Sequence, residues 1–101
     1  MNDNIMHEWL VATVKAEMKL TTTTREKKIL AAVAVARAFF CKANPKKAEI
    51  IRLLYFDEEW MSSKAAASMA AATQGMVNKV KREFLQEIHK NLREIEGDEK
   101  V

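Results

Sequence analysis

Residues 62–83 read SSKAAASMAAATQGMVNKVKRE, with alanine at six of the eight positions from 65 to 72, then Thr-Gln-Gly, then lysine and arginine. Alanine forms helices readily but buries little apolar surface, so such a stretch makes a poor core unless smallness is its purpose. Two short helices that cross steeply over a tight turn bring their backbones close, and only small side chains permit that approach. The stretch is therefore expected to be a helix over KAAASMAA capped by Ser62 or Ser63, a break, and a second helix opened by Thr73. Ala67 and Ala71 are then expected at the crossing and Ala65 on the outside.

Outward from this stretch the rest of the chain reads as helix too. Hydrophobic residues make up 49% of the 101 positions, with two glycines and one proline, too few breakers for strands joined by tight hairpins. A single all-α domain follows, with five helices over residues 1–101: an N-terminal helical pair (1–43), a helix-turn-helix unit (44–96) and a tail (97–101). In the first helix Met6, Leu10, Val14 and Met18 recur at four-residue steps with Trp9 beside them, giving one apolar stripe. Thr23 and Glu26 have the spacing of a capping box, so a second helix begins near Arg25. Its middle is apolar on nearly every side, with Ile29, Val33, Ala36 and Phe40 on one face and Val35 and Phe39 on another, which predicts a central, covered helix. Asn44 and Pro45 read as cap and first position of a third helix, PKKAEIIRLLYF. An acidic connector, DEEWMSS, precedes the alanine stretch. Val77, Val80, Phe84, Ile88, Leu92 and Ile95 then form the inner face of the fifth helix. Trp60, Tyr55, Phe39 and Phe40 are expected in the core, with Met61, Met69 and Met76 filling gaps.

The segment from Glu49 to Val77 resembles the tetrahelical helix-turn-helix shared by LuxR-type regulators and the last region of bacterial sigma factors. The resemblance rests on Glu49, Leu53, Ser62, Lys64, Ala67, Thr73 and Val77, with Gly75 at a position often glycine in sigma factors, and it covers roughly residues 45 to 92. Alanines replace the usual Ile and Leu of the first motif helix, Ala71 stands where glycine is common, and the connector is about three residues longer. The resemblance implies a bacterial or phage transcription regulator that binds double-stranded DNA, with its recognition helix starting near residue 73. It leaves the first two helices to brace the unit or to bind RNA polymerase or a second copy.

In such an architecture the N-terminal part of the second motif helix reaches base edges while the first helix rests on the backbone. Gln74 and Asn78 carry amides suited to adenine, and Lys79, Lys81 and Arg82 suit phosphates or guanine. Gly75 lets the backbone approach, and Ser63, Lys64 and Thr73 lie where the motif meets the backbone. Residues 25–52 also hold eight cations (Arg25, Lys27, Lys28, Arg37, Lys42, Lys46, Lys47, Arg52) against Glu26 and Glu49, a balance of 8 − 2 = +6 beside +3 for the whole chain. A polyanion is the partner this implies. The alternative is a helical interaction module that binds RNA polymerase or another regulator without touching DNA.

No catalysis, cofactor or metal is expected. His7 and His89 lie at opposite ends, Cys41 sits in an apolar run, and no His/Cys/Asp group has ligand spacing. Adjacent Asp57, Glu58 and Glu59 point different ways in a connector. A lone cysteine, an acid at Asp3 and the lack of an apolar leader point to a cytoplasmic protein. The segment Ile29–Cys41 is shorter than the roughly 20 residues that span a bilayer and carries Arg37, so no membrane partner is expected.

Overall fold

A computed structural model describes residues 5–57 and 61–98. The expectations for Glu58, Glu59 and Trp60 lie outside the described residues. Among those described, the chain is all-α, with helices α1 (Ile5–Glu17), α2 (Thr24–Ala43), α3 (Pro45–Ile51), α4 (Ser63–Met69) and α5 (Gln74–Asp98), and a π-helical segment over Arg52–Phe56. The third expected helix is thus α-helical only to Ile51, and its last five residues widen to π geometry while Leu53, Leu54 and Tyr55 stay buried. α5 continues through Gly97, where the tail was expected to begin.

Local chemistry at the helix starts explains the boundaries. The Thr23 hydroxyl accepts the Glu26 N–H at 3.1 Å and the Glu26 carboxylate accepts the Thr23 N–H at 2.8 Å, closing the capping box of α2. That N–H, and next to it Lys15 at 2.9 Å, hold the Glu26 carboxyl below its ordinary range. Asn44 caps α3 through the Lys47 N–H, Ser62 caps α4 through the Ala65 N–H, and Thr73 caps α5 through the Met76 N–H.

Two helix ends carry a second signature. After α4 the Ala72 N–H bonds to the Ala67 carbonyl at 2.8 Å and the Ala71 N–H to the Ser68 carbonyl at 3.3 Å, with Ala71 at φ 54°. After α1 the Leu20 N–H bonds to the Lys15 carbonyl at 2.8 Å and the Lys19 N–H to Ala16 at 3.1 Å, with Lys19 at φ 57°. Both are Schellman ends, in which the left-handed residue is usually glycine. Ala71 therefore lies exposed in the turn and not at a helix crossing, because the turn needs its backbone conformation and leaves its side chain outside. A left-handed alanine costs about 1–2 kcal/mol, and glycine's looser unfolded chain returns part of that. Ala71→Gly should stabilise the protein by about 0.5–1 kcal/mol in urea unfolding.

The described helices form two compact units. One comprises α1, α2 up to Ala36 and α5 from Glu87. Its core holds Ile5, Trp9 and Ala12 from α1, Ile29, Ala32, Val33 and Ala36 from α2, and Ile88 and Leu92 from α5. Asn91 is buried among them, and its side-chain amide donates to the Ala32 carbonyl at 3.2 Å, which satisfies a polar group that burial would otherwise penalise. The expected α1 stripe is displaced: Met6 is buried, but Leu10, Val14 and Met18 are exposed. A strict step of four drifts about 40° each time, so those residues leave the inner face and Ile5, Trp9 and Ala12 replace them.

The second unit runs from Arg37 to Gln86. Phe84 is its centre, stacked on Tyr55 at 5.7 Å and meeting Phe40 and Phe56 edge-on at 6.2 Å and 6.4 Å. Burial pushes the Tyr55 phenol above its ordinary range. Ala66 and Ala67 are buried and Ala65 exposed, with α4 lying against the π-helical segment, so the small side chains serve that approach. α2 is not covered on every side: Ile29, Val33, Ala36 and Phe40 are inside, while Val35 and Phe39 are half-exposed and Cys41 is exposed. Met69, expected to fill a gap, is exposed as well. The Arg37 guanidinium covers the Phe56 ring at 4.0 Å, a cation–π contact that accounts for a cation in an apolar run.

Candidate nucleic-acid interface

The turn Ala70–Thr73 joins α4 to α5, and side chains from three elements hold it. Lys46, at the start of α3, donates to the Ala70 carbonyl at 2.7 Å and so caps the end of α4. Lys81 on α5 donates to the Ser63 hydroxyl at 3.4 Å, tying α5 to the first residue of α4. The Lys47 ammonium meets Glu83 at 2.8 Å and anchors α5 to α3.

These bonds orient α5 with Val77, Val80 and Phe84 inward. At 100° per residue the opposite side carries Gln74, Asn78 and Arg82 beside Gly75, Lys79 and Gln86, an arc of about 140°. All six are exposed. The arc contains no acid, because Glu83 lies off it and is occupied by Lys47. Among the described residues no ion pair forms to Lys64, Lys79 or Arg82, and each is exposed.

Gly75 has no internal task. It is helical with negative φ, and an added Cβ would meet only the Thr73 hydroxyl, at 3.8 Å. Its lack of a side chain therefore leaves open backbone on the outer surface of the helix.

The remaining site residues divide by role. Gln74, Gly75, Asn78, Lys79 and Arg82 share the outer arc, and Lys64 is exposed on α4. Thr73 is committed as a cap, while Ser63 and Lys81 are half-buried against one another. Gln86 extends the arc by a turn and is announced only by its spacing from Arg82, and Lys46 acts through a backbone carbonyl, which no sequence pattern encodes. No protein-family model matches the chain, and neither a curated protein nor a solved structure matches it.

Much of the positive charge in residues 25–52 is committed elsewhere. Arg25 pairs with Glu8 at 3.2 Å and Glu96 at 3.4 Å, and Arg52 with Glu49 at 2.6 Å, while Lys46, Lys47 and Arg37 are engaged as described. These bonds raise both guanidinium pKa values further and lower that of the Glu49 carboxyl. In a recess of about 190 Å³ lined by His7, Glu8, Val11, Thr23, Arg25 and Glu26, Arg25 is held by Glu8 and Glu26 by Lys15. Among the described residues no group of three His, Cys, Asp or Glu side chains is placed to hold a metal ion, and no helix is long and apolar enough to cross a membrane.

Proposed function

We propose that α4, the Ala70–Thr73 turn and α5 act as a helix-turn-helix, and that the chain is a DNA-binding transcription regulator whose recognition surface is the outer arc of α5. One observation carries the reading: Gln74, Gly75, Asn78, Lys79 and Arg82 share an exposed, acid-free face whose outer surface includes an open glycine backbone. The amides supply paired donors and acceptors for adenine edges, the cations neutralise phosphates, and the glycine admits the sugar-phosphate chain at close range. Lys64 and the Ser63–Lys81 pair stand at the start of α4, the end that rests on the DNA backbone in this type of docking.

Gly75→Ala tests the proposal because fold and function want opposite residues there. Alanine is favoured over glycine in a helix by up to about 1 kcal/mol, and the new methyl has room. The variant should be as stable as the parent or more so, yet bind duplex DNA about 10-fold or more weakly. Unchanged duplex affinity in a variant of equal or higher stability would remove the close backbone approach from the account.

A further inference from the structure

We infer that the outer face of α1 is a self-association surface for a second copy of this chain. Of the eight large hydrophobic residues exposed among those described, five lie within eleven consecutive positions: Leu10, Val11 and Val14 in α1, and Met18 and Leu20 just after its end. Across the helix from them Ile5, Trp9 and Ala12 are buried, so α1 is apolar on two opposite sides. A helix of that kind is normally covered on both.

The charges around the face select the occupant. From Leu10 through Val14 to Met18 the middle of the face holds no ionisable side chain; Glu17 lies at one edge, Lys15, already bound to Glu26 at 2.9 Å, at the other, and exposed His7 one turn before Leu10. An anionic lipid surface or an acidic helix calls for a row of cations there, and a basic partner for a row of acids. A second copy calls for neither, because a two-fold axis near Val14 sets neutral apolar side chains against the same set, and Lys15 near that axis is already paired with Glu26.

Size sets the strength. α1 has 13 residues, about 20 Å of helix, and two such faces laid antiparallel bury on the order of 1,000 Å² in total, the low end for a specific interface. The dimer is therefore weak, and it forms without DNA.

Sedimentation equilibrium of the full chain from about 5 to 500 µM, without DNA and with reductant to keep Cys41 from cross-linking, tests this. The parent should move from monomer to dimer across that range. Val14→Lys, which sets two ammonium groups against each other at the axis, should stay monomeric with an unchanged circular dichroism spectrum. If that variant misfolds, Leu10→Lys, at an exposed position one turn away, replaces it. A second readout uses Val14→Cys in a Cys41→Ser background, where oxidation should give a disulfide-linked dimer. A parent monomeric at 500 µM, or dimerisation untouched by folded Val14→Lys and Leu10→Lys, would overturn the inference. Because DNA is absent, neither result bears on the α5 reading.

Discussion

Phe84→Ala should lower stability by about 3–5 kcal/mol, the range for removing a fully enclosed aromatic side chain. Phe84 has no solvent exposure, stacks on Tyr55 and meets Phe40 and Phe56 edge-on, so its loss takes away one ring and three aromatic contacts at once. Small domains hold only about 5–15 kcal/mol in total, and a loss of 3 kcal/mol lowers the melting temperature by about 12 °C or more. Phe39→Ala is the control. Phe39 is 51% exposed and touches Phe40 only edge-on, so its removal should cost about 1 kcal/mol or less. Thermal melts of both variants check the contrast, and equal losses would mean that Phe84 does not centre the second unit. The result bears on function because Phe84, with Val77 and Val80, sets which side of α5 faces out.

Replacing Lys79 and Arg82 together with alanine should weaken duplex binding by about 100-fold or more, since a hydrogen bond to a charged group contributes about 1.5–3 kcal/mol. Stability should hardly change. Both side chains are exposed, no described residue forms an ion pair with either, and alanine is a good helix former. Lys47→Ala should act in the reverse way, because its bond to Glu83 anchors α5 to α3 and its ammonium is not on the outer arc. Fluorescence anisotropy with a labelled duplex, set beside melting curves, separates the two kinds of lysine. Loss of stability without loss of affinity in the double variant would place these cations among the structural ones.

Capping residues made the helical order legible. Thr23 with Glu26, Asn44, Ser62 and Thr73 each mark a helix start that the structure places within a residue of the expected position. The inner face of α5 was equally plain, since Val77, Val80, Phe84, Ile88 and Leu92 repeat at steps of three and four, which track a helix closely. α1 misled because a constant step of four drifts around the axis. In α2 apolar residues surround the helix, so periodicity could not say which side would be covered, and Val35 and Phe39 ended outside. Ala71 stands where glycine is common, but its left-handed backbone is a property of the turn and not of its side chain. The cations were the least legible. Counting charge along residues 25–52 pointed to a basic region there, whereas Glu8, Glu49, Glu83 and Glu96, distant in sequence in most cases, occupy three of those cations. Only geometry separates a paired lysine from an exposed one.

The most direct test of the α5 interface is the salt dependence of duplex binding, measured for the parent and for the Lys79→Ala/Arg82→Ala variant. Each phosphate neutralised releases condensed counterions and adds about 0.9 to the slope of log affinity against log salt. The parent should bind with a steep negative slope, and the double variant with one shallower by about 2. No duplex binding at low salt, or the same slope in both proteins, would contradict the account.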